Sequence, residues 1–325
     1  MKKYMICILS VFIVYITSAC NNNEQEQLHK YDNSKVNSSV IINNMVNQNG
    51  GGLLSANLCV IPKEQPNTAD DSVTCGAAIL INTTKKQCLF SKNLYTKLYP
   101  ASITKILTAL VTLKKCNMTD TVTITKEAVS ITESGAKKCG FNEGDKITLD
   151  ALMKCMLVYS GNDAALAIAI HVSGSQENFA TEMNKTCKMI GASNSNFVNP
   201  HGLHDDNQYT TPYDLYLILN ELCKYPGIFD MYGLASCELA YTGADGSAKT
   251  KSFKATNRYV NGAVSHPENI TVLGGKTGTT DKAGNCLILH CKNNTTNDNL
   301  ISVVLNANSG NDLYTNMSKV LSYGK

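Results

Sequence analysis

Tyr99-Pro100-Ala101-Ser102-Ile103-Thr104-Lys105 is the stretch on which the reading of this chain turns. Pro100 and Ala101 close a loop, and from Ile103 to Leu113 apolar residues recur at helical spacing, so Ser102 stands where a helix opens. Two more short motifs follow in order. Ser160-Gly161-Asn162 ends one apolar run and starts another, and Lys276-Thr277-Gly278 follows Gly274-Gly275 on an expected strand. Each is weak alone: Ser134-Gly135-Ala136-Lys137 also fits Ser-x-x-Lys, and Ser309-Gly310-Asn311 also fits Ser-x-Asn. Setting separates the three from these copies.

The residue types supply the parts of one reaction. A serine hydroxyl is a poor nucleophile until a base takes its proton. Helix positions three apart share a face, so Lys105 can place its amine beside the Ser102 oxygen. Burial and a second cation, Lys276, would lower its pKa and leave the amine uncharged. A helix opening at Ser102 also leaves free N–H groups where an oxyanion would develop. Gly161 permits a tight turn that sets Ser160 and Asn162 at its corners. On the facing strand, Lys276 brings positive potential for a carboxylate, Thr277 a hydroxyl donor, and Gly278 room for close backbone approach. Taken singly, each motif has a plainer reading: a helix-cap serine and surface lysine, a capping serine and turn asparagine, a strand-end lysine.

Outward from these motifs the chain is α+β. Val73 to Ile81 reads as a strand, residues 82–86 as a turn, and Gln87 to Phe90 as the hairpin partner. A helical middle follows at Ile103 to Leu113, Leu149 to Val158, Ala164 to Val172, Glu177 to Ile190 and Pro212 to Cys223. Strand signals return at Cys237 to Thr242, Thr271 to Thr277, Cys286 to Cys291 and Leu300 to Asn306, before a closing helix at Leu313 to Leu321. Strands at both ends around a helical middle imply one antiparallel sheet built from distant segments, with helices on its faces.

At 325 residues the chain can bury a sizeable core. A net charge of +3 with no basic run excludes an electrostatic nucleic-acid binder, and Arg258 is the only arginine. Lys2-Lys3, an apolar run from Met5 to Ile16 and Thr17-Ser18-Ala19-Cys20 make residues 1–20 an export signal, its apolar part too short to span a membrane. Small residues before Cys20 resemble a bacterial lipoprotein signal, which implies lipidation at Cys20 and a membrane anchor; Thr17 departs from that pattern, and ordinary cleavage near Ala19 or an uncleaved anchor are the alternatives. Residues 21–57 read as a polar tether, leaving 58–325 as the catalytic domain. Of thirteen cysteines, Cys7 leaves with the signal and Cys20 takes the lipid, which leaves an odd eleven. Several lie in apolar stretches, so most are expected as unpaired core thiols. No spacing points to zinc, and His201-Gly202-Leu203-His204-Asp205 reads as a loop without a third ligand. No metal or other cofactor is expected.

The segments quoted, together with Ser160-Gly161-Asn162-Asp163-Ala164-Ala165, Asn199-Pro200-His201-Gly202-Leu203, Tyr209-Thr210-Thr211-Pro212-Tyr213-Asp214-Leu215 and Gly275-Lys276-Thr277-Gly278-Thr279-Thr280, resemble the D-alanyl-D-alanine carboxypeptidase family, the low-molecular-mass penicillin-binding proteins. The likeness runs from about Val73 to Lys325. It implies the β-lactamase/transpeptidase-like fold, and it makes Ser102 the nucleophile, Lys105 its base and Ser160 the proton relay. Asn162, Lys276, Thr277, Gly278 and Thr279 would bind the substrate, with the N–H groups of Ser102 and Thr279 as oxyanion hole. The implied partners are the peptidoglycan stem peptide, and β-lactams as covalent inhibitors. Two departures bear on this. Residues 306–313 lack the arginine that relatives often carry there to grip a terminal carboxylate, so recognition would rest on Lys276, Thr277 and Thr279; Arg258 reads as structural. No glutamate lies between Glu182 and Glu221, which argues against a fast class A β-lactamase. A weak β-lactamase, a D,D-endopeptidase or a non-turnover cell-wall binder stay open as alternatives.

Overall fold

The structure, a computed structural model, describes residues 58–325; the signal, Cys20 and the tether lie outside them. Two antiparallel sheets frame a helical layer. The larger has the order β2-β1-β9-β8-β7, formed by β1 (Ala77–Asn82), β2 (Gln87–Lys92), β7 (Ile270–Thr280), β8 (Gly284–Asn293) and β9 (Asn299–Ala307). The smaller, β3-β4-β5-β6, joins Thr121–Thr123, Lys146–Thr148, Ser236–Thr242 and Ala248–Lys254. The longer helices are α1 (Thr104–Lys115), α2 (Leu149–Lys154), α3 (Asn162–Ser173), α4 (Gln176–Met189), α5 (Pro212–Leu222) and α6 (Gly310–Ser322).

The N- and C-terminal strands do share a sheet, because β1 pairs with β9 from Ala77↔Leu305 to Asn82↔Leu300. Strand alternation divides their side chains between two cores. Ile79, Ile81, Ile301, Val303 and Leu305 face the helical middle, whereas Ala78, Leu80, Leu300 and Val304 face Leu313, Met317, Val320 and Leu321 of α6. With both faces covered, these strands read as continuous apolar runs.

The single sheet expected from sequence is corrected to two. Cys237 to Thr242 pairs in the smaller sheet, with three strands that carry little apolar signal. β3 and β4 each bury one side chain, Val122 and Ile147, and β6 buries only Phe253. The first strand also begins later than Val73, because the N–H groups of Thr74 and Cys75 donate to Asn316 Oδ1 at 2.6 and 3.1 Å. That side chain on α6 takes the place of a strand neighbour.

α1 is buried from Thr104 to Thr112, its polar Thr104, Lys105, Thr108 and Thr112 included. Its polar Thr108 is accommodated because Oγ1 donates to Pro200 O at 2.6 Å. The run expected as one helix from Leu149 to Val158 changes pitch: α2 ends at Lys154 and continues as a π turn, Cys155–Tyr159. Such turns favour functional sites. This one ends on Ser160, in the left-handed region at φ 75°.

Candidate active site

Ser102 sits in a 3-10 turn, Ala101–Ile103, that leads directly into α1. Ala101 is itself left-handed at φ 46°, a conformation that costs an ordinary residue about 1–2 kcal/mol. Thr104 Oγ1 donates to Ala101 O at 2.8 Å and helps hold it. Two glycines let neighbouring backbone lie on this turn. A Cβ at Gly202 would stand 2.0 Å from Ala101 O, and one at Gly278 would stand 2.8 Å from Ser102 N. The turn carrying Ser102 is therefore clamped between the residue 199–203 loop and the open edge of β7.

Lys105, the second residue of α1, is completely buried. Its Nζ contacts Ser102 Oγ at 3.0 Å, Asn162 Oδ1 at 2.7 Å and the carbonyl oxygen of His201. The last two are pure acceptors. A neutral amine has two N–H bonds and one lone pair, so donating to both carbonyls aims the lone pair at the serine hydroxyl. Burial, and next the Lys276 charge, hold the Lys105 pKa well below the usual lysine value. The same burial, with Lys105 nearby, lowers His201 to about 3, so its ring is neutral near pH 7.

Lys276 lies on β7 and is 1% exposed. Its Nζ donates to Ser160 Oγ at 2.9 Å and to Thr277 O at 2.8 Å. Burial first, then the Lys137 charge, lowers its pKa to about 7. Thr277 Oγ1 is 2.6 Å from Thr256 Oγ1, and Thr279 Oγ1 donates to Asn285 Oδ1 at 3.2 Å.

The three motifs meet in one cleft of about 780 Å3, lined by Ser102, Ser160, Asn162, Thr277, Gly278 and Thr279 among others. Lys105 and Lys276 lie beneath it, each bonded to a serine of its floor. The chemistry available is proton removal from Ser102 by an uncharged amine, with a second serine held beside a second lysine.

Sequence reasoning missed the opposite rim. Glu133, Ser134, Gly135 and Lys137 line the cleft, so the Ser-x-x-Lys copy at Ser134 to Lys137 is part of its wall. Asp163 positions this loop: its carboxylate accepts from the N–H groups of Cys139 at 2.8 Å and Gly140 at 2.9 Å. Lys137 O in turn accepts from Asn162 N–H at 2.8 Å. These are backbone contacts, which leave no residue-type signature. Thr256 and Arg258 form another stretch of wall. His201 and His204 serve separate partners. Leu203 N–H donates to His201 Nδ1 at 3.2 Å, and His204 Nε2 lies 3.3 Å from Asp206. Among the described residues, the group closest to metal-ligand spacing is Cys116, Asp120 and His171, with donor atoms within 4.8 Å of one another; none of them lines the cleft.

A serine and a lysine joined on one helix turn, faced by a Ser-x-Asn corner and a Lys-Thr-Gly strand, define a class of acyl-serine enzymes. The model of the D-alanyl-D-alanine carboxypeptidase family matches residues 63–309, and the chain belongs to that family. D-alanyl-D-alanine carboxypeptidase DacF of Bacillus subtilis is 32% identical over 252 residues, covering 76% of this chain and 61% of that protein. DacC of Escherichia coli is 32% identical over 262 residues, 78% of this chain and 62% of that one. The chain thus spans about three fifths of the length of these relatives. A D-alanyl-D-alanine endopeptidase of Pseudomonas aeruginosa is 28% identical over 70% of each chain. Among solved structures, the Streptomyces DD-transpeptidase superposes with a TM-score of 0.72 at 24% identity, covering 79% of this chain and 99% of that one. D-alanyl-D-alanine carboxypeptidase DacD of Francisella tularensis gives 0.68 at 22%, covering 89% and 75%. These two share the fold, so the expected α+β transpeptidase-like architecture holds.

Proposed function

We propose that residues 58–325 are the catalytic domain of a serine D-alanyl-D-alanine carboxypeptidase that trims peptidoglycan stem peptides through an ester on Ser102. The observation that carries this is the Lys105 nitrogen, buried, committed to two carbonyl acceptors and 3.0 Å from Ser102 Oγ.

Ser102 Oγ attacks the carbonyl carbon between two D-alanines while its proton passes to Lys105 Nζ. The backbone N–H groups of Ser102 and Thr279 hold the oxyanion of the tetrahedral adduct. As the adduct collapses the C–N bond breaks, Ser160 Oγ–H protonates the leaving amine, and the proton held on Lys105 passes to Ser160 Oγ and restores its hydroxyl. D-alanine departs and the shortened peptide stays esterified to Ser102. Water then attacks the ester, losing its proton to Lys105, and the acid product leaves with Ser102 reprotonated. Asn162 aligns the peptide, and Gly278 lets it approach β7. Lys276 acts through Ser160 and through its charge, since its own nitrogen lies below the cleft. A β-lactam would enter as a cyclic amide and remain on Ser102.

The family and the signal-like residues 1–20 support action outside the cytoplasmic membrane, with a lipid on Cys20 as the anchor. The endopeptidase relative favours a second reading, cleavage of the cross-linking D-alanyl bond in the same cleft.

Two measurements test these readings. Fluorescent penicillin should label folded protein at Ser102, located by peptide mass mapping; unlabelled folded protein would sink the acyl-enzyme reading. Release of free D-alanine from a monomeric pentapeptide, against cleavage of a cross-linked dimer, then separates carboxypeptidase from endopeptidase.

A further inference from the structure

Away from the cleft lining, three side chains with metal-ligating atoms meet. Cys116 Sγ, an Asp120 carboxylate oxygen and a ring nitrogen of His171 all lie within 4.8 Å of one another. They come from two helix ends and a turn. Cys116 is the C-cap of α1, Asp120 directly precedes β3, and His171 stands in the last turn of α3. Backbone bonds fix the turn. Asp120 N–H donates to Asn117 O at 3.0 Å, Leu149 N–H to Asp120 O at 2.8 Å, and Asp150 N–H to Met118 O at 2.9 Å. Asn117 N–H also donates to Asp120 Oδ2 at 3.2 Å, which orients the carboxylate. His171 Nε2 stands 3.8 Å from that same oxygen, and among the described residues it has no other polar partner.

The donor set favours one kind of ion. Thiolate, imidazole and carboxylate together are zinc ligands, whereas magnesium and calcium take oxygen alone. Bonds of about 2.0–2.3 Å place tetrahedral ligand atoms about 3.3–3.8 Å apart, so the three donors need to close by about 1 Å. Cys116 and Asp120 are half-buried and His171 is exposed, which leaves a way in and a fourth position for water. Two helices end here, and the partial negative charge of each C-terminus favours a cation. The neighbouring Lys115 does not supply it, because its ammonium is drawn to Glu182 at 2.7 Å. Burial, and next the Asp120 charge, hold the Cys116 thiol above its ordinary pKa, so a metal must displace a proton there.

We propose that Cys116, Asp120 and His171 bind one zinc ion, with water as the fourth ligand. The Cys116 S–H proton passes to solvent as the Zn–S bond forms, and His171 coordinates through its neutral ring. The ion is a staple between helices. α1 and α3 each have twelve residues, about 18 Å of helix. Both start at the cleft, where Lys105 Nζ donates to Asn162 Oδ1 at 2.7 Å. Zinc joins their other ends, so the helices that carry Lys105 and Asn162 are tied at both ends. This staple is independent of which bond the cleft cleaves.

The test titrates chelator-treated, folded protein with cobalt(II), whose thiolate charge-transfer band in the near ultraviolet reports a Co–S bond. One cobalt per chain should bind, zinc should displace it, and magnesium should not. Zinc at about a hundred-fold its Kd should raise Tm by about 5 °C or more. It should also protect Cys116 from iodoacetamide, read by peptide mass mapping. Cys116→Ser should abolish the band, and Asp120→Asn and His171→Gln should each weaken binding by about a hundred-fold or more. The melting transition of each variant shows that it folds. Folded wild-type protein with neither a band nor a zinc-dependent Tm overturns the proposal, as does Cys116 alkylated equally with and without zinc. A band that survives Cys116→Ser overturns it too, by placing the ion on other thiols. So does a band indifferent to His171→Gln, which marks a lone thiol.

Discussion

Lys276 Nζ and Ser160 Oγ lie 2.9 Å apart at the base of the cleft, and neither residue is more than 5% exposed. The bond joins a β-strand to the left-handed end of a π turn 116 positions earlier in the chain. Because the lysine donates, the serine oxygen is occupied as acceptor and its own proton is free to point into the cleft. In the proposed mechanism this pair supplies the proton to the departing amine.

The opposing demands on the two buried lysines give a pH profile. Acylation needs Lys105 uncharged, and its pKa is depressed by burial and by Lys276. Raising the pH through that depressed value therefore raises the rate. In the proposed mechanism Lys276 attracts the carboxylate only while protonated, and its pKa is about 7, so raising the pH through that value removes its charge and lowers capture of substrate. For a carboxylate-ended peptide kcat/KM should carry a descending limb near 7. Lys276→Arg carries a group that does not titrate in this range. It should shift that limb upward by about 2 pH units or more, whatever it does to the maximum. A descending limb that stays in place assigns it to another group.

Removing the base is the sharper test of the chemistry. Lys105→Met fills nearly the same volume but has no lone pair basic enough to take a proton. Acylation by penicillin should fall about a thousand-fold or more, within the range a general base contributes. Lys105→Arg should not rescue it, since a guanidinium stays protonated. Both Asn162 Oδ1 and His201 O lose their donor in the methionine variant, which costs about 1–3 kcal/mol for each buried acceptor. Removal of a buried amine offsets part of that. Thermal melting should therefore register a cooperative transition, and the rate of label incorporation in the same sample reads the base alone.

Residue types and periods made legible what short-range physics controls. The three-residue spacing of Ser102 and Lys105 at the opening of α1 brings the two side chains together, and Gly274 to Gly278 marks where a strand meets other backbone closely. The smaller sheet stayed hidden because Ala-Lys-Thr-Lys-Ser-Phe-Lys in β6 leaves only Phe253 buried and its strand is specified by pairing with β5. The wall from Glu133 to Lys137 stayed hidden for a related reason, since it is placed by backbone N–H groups bonded to Asp163. Arg258 lines the cleft, and its hydrogen-bond partner Asn311 is 53 residues away. No local pattern joins the two.

The cysteines give a prediction about redox state. All eleven cysteines among the described residues are free, and eight of them are buried, with only Cys88, Cys116 and Cys223 partly open. Burial raises Cys286 to about 12 and Cys75 to about 11, so little thiolate is present near pH 7. Folded protein should react slowly with Ellman's reagent, and Cys116 should lead, since burial raises it less than its deeper counterparts. Full reactivity should appear only in denaturant, and added reductant should leave the melting temperature unchanged. A reductant-dependent drop of several degrees would mean that disulfides form in the native protein.

The clamp on the nucleophile turn can be loosened without touching any polar group. A methyl at position 278 would lie 2.8 Å from Ser102 N and 3.0 Å from Ala101 Cβ. Neither neighbour is a flexible side-chain tip, so Gly278→Ala must push β7 away from the turn by several tenths of an ångström. Two consequences follow from that displacement. The N–H groups of Ser102 and Thr279, proposed as oxyanion donors, move apart, and a peptide bound along β7 as proposed shifts relative to Ser102 Oγ. Acylation should fall by about a hundred-fold, the scale at which small misplacements act on catalysis. The pH dependence of the residual rate should keep its ascending limb, because Lys105 and its carbonyl partners lie on the far side of Ser102. Gly278→Ala acylating at the wild-type rate would show that β7 does not set the geometry of attack, and that the close approach of strand and turn is packing alone.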